Sequence, residues 1–390
     1  MKILILDTNY PSFLQAFYSH NPDAKSLSYS EQQRAIMAQC FGTADFYSSN
    51  LMKLGHEAEE VVVNNEILQN QWAVENGIKP RSRWLPSLHI YRDEGGIRIN
   101  LGRKSTWLLD ILHAQIRNFS PDVLYVQNIS WLPGDFLRDI RQDVHLIVGQ
   151  HASLLPPDRM LHSYDLILSS LPNMVSYFRE QGITSEYFRL GFEPKVLTKL
   201  SSFNKKFNVV HIGGYGPIHN ERTVFLESVS KKTGIEFWGY GIDNVPPSSS
   251  IHQSYHGEAW GLDMYNIRHN SKISVNKHIS SVADGFCNNC TLYEATGVGT
   301  CLVTDMKDNL SELYDPDREV VAYTSPDDCA EKIRYLLDHE DERLSIARAG
   351  KERTLGEHTY YHRMQELAGI LESHLRHPEH VTRSLNHNGN

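Results

Sequence analysis

The densest run of chemically capable residues spans 288–305 and reads Asn-Asn-Cys-Thr-Leu-Tyr-Glu-Ala-Thr-Gly-Val-Gly-Thr-Cys-Leu-Val-Thr-Asp. Its carboxylate is Glu294. A helix is expected over 292–298 and a buried strand over 300–304, which puts Glu294 at the start of the helix. That is the crevice at the carboxyl ends of parallel strands, where open α/β sheets take ligands. The two oxygens of a carboxylate there can accept both vicinal hydroxyls of a ribose. The alternative is that Glu294 only complements the helix dipole.

A second candidate runs from His211 to Arg222, as His-Ile-Gly-Gly-Tyr-Gly-Pro-Ile-His-Asn-Glu-Arg. A glycine turn at Gly213 and Gly214 between a strand and a helix lets backbone N–H groups approach phosphate oxygens, and the helix N-terminus favours negative charge. His219 and Arg222 are three residues apart and share a helix face. Arg222 can pair with a phosphate; otherwise the glycines only punctuate the chain. A third candidate is Asn276-Lys277-His278, after a strand expected over 273–275. Alternation puts Asn276 and His278 on one side, able to hydrogen-bond a sugar or a base, unless the segment is simply a polar loop.

Other patterns carry less. Cys287 and Cys290 have a C-x-x-C spacing, but a structural zinc needs four ligands and no second pair lies nearby. Asp315-Pro316-Asp317 has a D-x-D form and is expected only to make a turn. No P-loop, nucleophile-elbow or H-E-x-x-H pattern occurs.

These residues need elements to hold them. The 390 residues are 40% hydrophobic, enough for two cores. Strands are expected at 2–7, 61–63, 122–126, 145–149 and 165–169, with helices over 30–52, 133–141 and 174–181. The stretch 65–104 reads as an irregular insertion. Periodicity restarts at 208–212, and strands at 235–238, 273–275, 300–304 and 320–323 then alternate with helices at 262–267, 292–298, 310–314 and 327–338. A last helix is expected over 359–375. Strand–helix–strand repeats of this kind build parallel sheets. The net charge of −9 argues against nucleic acid as a partner. The apolar start at residues 3–6 is too short for a secretory leader or a spanning helix. With five scattered cysteines, the chain is expected to be cytoplasmic.

The 288–305 run, with 309–313, 319–323, 325–328 and 358–360, resembles the spore-protein CgeB/YkvP-like group of bacterial GT-B glycosyltransferases (glycosyl transferases group 1). The likeness covers most of 207–372 and extends more weakly into 122–197. It implies an α/β GT-B fold, two Rossmann-like doubly wound parallel-sheet domains facing a cleft. The implied layout is an acceptor-binding domain over 1–195, a linker over 196–206 and a nucleotide-sugar-binding domain over 207–357. A helix over 358–376 would pack back on the first domain, followed by a disordered tail over 377–390. The implied donor site comprises Gly213, Gly214, His219, Arg222, Asn276, His278, Asn289, Thr291 and Glu294. Two departures stand out. The family's second acid falls at Phe286, which leaves Asp284, two residues upstream, as its substitute, and the family's basic residue falls at Thr291. In the first half, Gly149-Gln150-His151 closes a strand, and His151 resembles a histidine that retaining GT-B enzymes aim at the donor sugar.

The implied activity is transfer of a sugar from a nucleoside diphosphate sugar to an acceptor hydroxyl of a glycan or glycoconjugate, with no metal or other cofactor and with retention favoured. Peripheral membrane contact is compatible with it. The competing expectations are a sugar-nucleotide epimerase or hydrolase of the same fold, and a noncatalytic glycan- or surface-assembly protein.

Overall fold

The computed structural model describes residues 1–81, 84–93, 96–155, 158–201, 204–279, 282, 285–287 and 289–376, the side chains of 84–93, 96–105 and 158–159 excepted. Asp284 and the 377–390 tail lie outside the described residues. The chain divides into two compact units: 1–38, 56–149 and 156–165 form the first, and 39–55, 150–155 and 166–390 the second.

The first unit contains β1 (Lys2–Asp7), α1 (Pro11–His20), α2 (Tyr29–Met37), β2 (Glu57–Val62), α4 (Glu66–Glu75), β3 (Trp84–Asp93), β4 (Gly96–Ser105), α5 (Trp107–Phe119), β5 (Val123–Val126), α6 (Gly134–Asp139), β6 (Leu146–Gln150) and α7 (Asp158–Leu161). The second contains α3 (Phe46–Lys53), β7 (Leu166–Ser169), α8 (Pro172–Glu180), β8 (Ser185–Tyr187), β9 (Phe207–Ile212), α9 (Asn220–Thr233), β10 (Glu236–Trp238), α10 (Ser250–Gln253), α11 (Leu262–His269) and β11 (Ser271–Val275). It continues with α12 (Cys290–Gly297), β12 (Cys301–Asp305), α13 (Leu310–Leu313), β13 (Val321–Tyr323), α14 (Pro326–Asp338), α15 (Glu340–Glu357) and α16 (Tyr360–Arg376).

Six strands form a sheet in the order β2-β1-β5-β6-β7-β8, and five form another in the order β10-β9-β11-β12-β13. The paired registers in both are parallel. Central strands of a parallel sheet are covered on both faces, so they read as unbroken apolar runs; β5 and β7 are buried along their whole length. β2 sits at an edge, where Glu57 and Glu59 can face water. In the second sheet Val209, Phe237, Ile273, Val303 and Tyr323 pack with Phe225, Leu226 and Val229 of α9 and Ile333 and Leu336 of α14 in one core. Tyr360 at the start of α16 rests on Phe46 and Tyr47 of α3, each at 5.4 Å between ring centroids.

Three expectations need correction. The helix expected over 30–52 is two helices, α2 and α3, because Cys40 and Ala44 take positive φ between them and break the run. The 65–104 stretch is not irregular: it holds α4, capped by the Asn65 side chain on Leu68 N–H, and the antiparallel β3–β4 hairpin. And α12 starts at Cys290, so Glu294 is its fifth residue and not its first turn's opening.

Candidate functional site

In the five-stranded sheet the chain runs from β9 outward to β10, then returns to the other side of β9 for β11, β12 and β13. The strand order therefore reverses between β9 and β11. Ligands of open α/β sheets bind beyond the carboxyl ends of the strands at such a reversal. The residues there are those after Ile212 and after Val275, which is where the glycine turn and Asn276-Lys277-His278 lie.

The glycine turn is dictated first by crowding. A Cβ on Gly213 would stand 2.9 Å from His211 Nε2, and one on Gly214 would stand 2.6 Å from the Tyr240 ring and 2.7 Å from His219 Nε2. Tyr240 is in turn stacked on Trp260, 5.7 Å away at 17°. Arg222, in the first turn of α9, donates from Nη2 to the Gly214 carbonyl at 2.5 Å. Its Nε is buried with no hydrogen-bond partner, and among the described residues it forms no salt bridge, though the Asp305 charge reaches it. The imidazoles beside it are neutral. Burial first, then the Arg222 charge, push His211 down to about 3 and His219 down to about 4. His211 Nδ1 lies 3.0 Å from the Val275 carbonyl, so it carries the proton, and Nε2 is a bare acceptor without a partner. Arg222 is thus a cation among neutral histidines, with its Nε unused and the Asp305 carboxylate acting on it through space.

Beyond β11, the side chains are turned inward and tied to one another. Asn276 Nδ2 donates to Thr304 Oγ1 at 3.0 Å, and Asn276 Oδ1 accepts from Asn289 Nδ2 at 3.0 Å. His278 Nδ1 donates to Asp305 Oδ1 at 2.7 Å, and the His278 backbone N–H donates to the same oxygen. Burial would raise the Asp305 carboxyl, but the His278 bond and the charges of Lys277 and Lys307 outweigh it and hold the group well below the usual carboxylate range. Lys277 also pairs with Glu221, at 3.4 Å. Asn276 and His278 are thus brought together as expected from alternation, but as struts that fix the loop. The His278 Nε2 is buried without a partner.

Asn289 caps α12, its Oδ1 accepting from Leu292 N–H at 3.3 Å. The capping that Glu294 might have supplied is therefore done by another residue. The small residues after Glu294 have a packing cause: Gly297 faces the Phe192 ring, with no room for a Cβ. Glu294 itself has a side chain 16% exposed. Among the described residues it makes no hydrogen bond through its carboxylate, and its one charged neighbour is Arg268, whose Nη2 is 3.5 Å from Oε2. Burial raises the Glu294 carboxyl and Arg268 opposes the rise. Thr291 accepts from the same Nη2 at 3.3 Å. Beside Thr291, then, stands a cation from α11.

His151 is nearly buried. Its ring nitrogen Nε2 donates to the Leu154 carbonyl of its own loop at 3.1 Å, and burial pushes its pKa down. It is held by that loop and by the edge of Phe178. Asp284 lies outside the described residues, as does Asn288. Asp317 takes positive φ in a tight turn bridged by Pro316 and Val320, the role expected of Asp315-Pro316-Asp317. No group of three or more potential metal ligands occurs among the described residues.

Sequence reasoning missed Arg268, His211 and Asp305. Arg268 had a readable signal: Tyr265 and Arg268, three residues apart, form the buried face of α11, and a charge on such a face demands a partner.

Residues 222–369 match a family model described as glycosyl transferase-like. No curated protein matches the sequence. Among solved structures, the chain is similar to HepE of Anabaena in complex with UDP-glucose, at 11% identity and a TM-score of 0.57, over 96% of this chain and 100% of that one. Sucrose-phosphate synthase from Thermosynechococcus elongatus gives 10% identity and 0.55, over 96% and 98%. A putative UDP-N-acetylglucosamine 2-epimerase from Listeria monocytogenes gives 11% and 0.50, over 96% of both chains. The two parallel sheets and these likenesses define the class: the fold is that of the GT-B glycosyltransferases.

Proposed function

We propose that the protein transfers a sugar from a nucleoside diphosphate sugar to an acceptor hydroxyl. The observation that carries the proposal is a pair of groups with unused hydrogen-bonding capacity, on two helices beside one sheet. Arg222 has a buried Nε without a partner beside the glycine turn and forms no salt bridge among the described residues, and the Glu294 carboxylate accepts no hydrogen bond among them, Arg268 being its ionic neighbour. A nucleoside diphosphate supplies both, the diphosphate to Arg222 and the ribose hydroxyls to Glu294. HepE was solved with UDP-glucose, which makes UDP-sugars the first donors to try. As the sugar leaves, charge grows on the diphosphate, and a fixed guanidinium stabilises that charge more than it stabilises the bound donor. Arg222 is the residue in place for this. Asn276, His278 and Asn289 hold the loop and the helix that carry the site; Gly213 gives His211 its room and Gly214 gives Tyr240 and His219 theirs.

Residues 207–357 are the donor-binding part in this scheme and residues 1–195 the acceptor-binding part. His151 and Asp284 are the proposed groups nearest the transferred sugar. Retention, independence of metal, a role in bacterial surface glycan synthesis, kinship with the CgeB/YkvP-like group and a cytoplasmic place belong to the same proposal. No helix among the described residues is long and apolar enough to cross a membrane. A second activity is favoured by the likeness to the Listeria epimerase: isomerisation or hydrolysis of the donor. Incubation with a UDP-sugar panel, with and without a glycan acceptor mixture and with excess chelator throughout, separates the two. Acceptor-dependent release of UDP is the expected result. Turnover that needs no acceptor would replace transfer by the epimerase or hydrolase activity, and activity only after manganese is added would contradict metal independence.

A further inference from the structure

Arg268 is 2% exposed, yet it is a permanent charge. Its nitrogens are spread over neutral partners from four places. Nε points at Met264 Sδ at 3.1 Å, Nη1 donates to Ser274 Oγ at 2.8 Å, and Nη2 reaches Thr291 Oγ1 at 3.3 Å and the Ile212 carbonyl at 3.5 Å. Those anchors come from α11, β11, α12 and the end of β9, and none carries charge. The guanidinium is therefore fixed in space by dipoles, while its charge is answered by one carboxylate among the described residues, Glu294. A rigid planar fork held on several sides loses little further freedom when it takes an ionic partner.

We infer that Arg268 is a positioning residue, which keeps the Glu294 carboxylate ionised and turned so that its remaining acceptor positions face the ligand; the inference rests on the donor-binding role proposed above for Glu294. Without that charge, a carboxylate so little exposed would take up a proton and would present a hydroxyl where an acceptor is needed. The other ionisable groups facing Glu294 are Tyr265 of α11, Tyr360 of α16 and Cys290 of its own helix. Burial pushes both tyrosines well above their ordinary value, and desolvation followed by the Glu294 charge pushes the Cys290 thiol up to about 12. All three stay neutral from pH 4 to 9, so Arg268 is the group in that range that can hold the charge on Glu294.

The test is a carboxyl carbon NMR titration of the full chain labelled at glutamate, with the Glu294 signal assigned by Glu294→Gln. Arg268→Gln should raise the Glu294 midpoint by about 1–3 pH units. UDP binding to that variant should be weakened about tenfold or more at pH 6.5 and should recover towards the wild-type value at pH 9, where Glu294 ionises again. A purely structural arginine would give a loss that pH does not restore. An unmoved midpoint in folded Arg268→Gln overturns the inference. If that variant fails to fold, Arg268→Met removes the charge and leaves no amide to satisfy; the same rise is expected, and no rise overturns the inference. A raised midpoint with no UDP binding even to wild type would uphold the charge pairing and remove the donor role, so the two failures are distinguishable.

Discussion

Replacing Glu294 by alanine removes a carboxylate that lies 3.5 Å from Arg268 and makes no other polar contact among the described residues. Two hydrogen bonds from ribose hydroxyls to an ionised acceptor are worth about 1.5–3 kcal/mol each. They share one carboxylate and do not add fully, so the expected loss in nucleotide binding is about 2–4 kcal/mol, or about 30- to 1000-fold in Kd. Stability should fall too, because Arg268 at 2% exposure loses its counter-charge. Breaking a fully buried pair costs about 3–5 kcal/mol; Glu294 keeps some access to water, so about 1–3 kcal/mol is expected here. Helix capping adds nothing to that cost, since Asn289 caps α12. Glu294→Gln should be milder in binding because its amide oxygen still accepts. Isothermal calorimetry with UDP, at a temperature where the variant is folded, measures the first quantity, and denaturant unfolding measures the second. Unchanged UDP affinity in a destabilised Glu294→Ala protein would show the carboxylate to be a structural partner of Arg268 and nothing more.

Arg222→Gln should weaken UDP binding by about 1.5–3 kcal/mol while leaving uridine binding nearly unchanged, because the arginine is assigned to the diphosphate; calorimetry with both ligands checks this, and equal losses would move Arg222 off the diphosphate. Its folding stability should hold or rise, since a partly buried charge that forms no salt bridge among the described residues is removed. Acid should destabilise the protein before any carboxylate pairing fails. His211 and His358 are held neutral, at about 3 and about 4, and His358 gives Nε2–H to the Leu313 carbonyl while Nδ1 accepts from Arg363. Below about pH 6.5 the unfolded chain takes up protons that these two refuse, so each contributes a slope of up to about 1.4 kcal/mol per pH unit, lost as pH falls towards 4. Asp305, held low, stays ionised through that window; Glu294, held high, offsets at most one proton. Denaturant titrations at pH 7.5, 6, 5 and 4.5 should show the fall, and a flat profile would contradict neutral burial of the histidines.

The central strands of both sheets were legible because parallel strands covered on both faces leave unbroken apolar runs such as those at 3–6, 123–126 and 301–303, whereas β8, three residues with two half-buried polar ones, was missed. The helix that carries Glu294 and the strand after it were legible, and the small Gly297 in that run has a packing cause, the Phe192 ring. α15 was not, because its buried stripe is Arg343, Ala347, Gly350 and Thr354 around a single Ile346, which gives almost no apolar periodicity. The residues that hold Glu294 and the loop after β11 escaped for a different reason. Arg268 and Glu294, or His278 and Asp305, are 26 and 27 residues apart and meet only through the order of the strands between them. Spacing along the chain finds residues on one turn or one strand; it does not find pairs made by sheet topology. The glycine turn shows the converse limit. Its pattern pointed to phosphate, yet Gly213 and Gly214 are required by the side chains around them.

Donor binding is tested most directly by calorimetric titration of the wild-type protein with nucleoside diphosphates, followed by competition with their sugar conjugates. One nucleoside diphosphate, UDP first, should bind with a single site per chain, and its sugar conjugate should displace it. At a free concentration 100-fold above Kd it should also stabilise the protein by about 2.7 kcal/mol. Absence of binding by every nucleoside diphosphate at millimolar concentration would contradict donor binding and, with it, the transferase activity proposed for this chain.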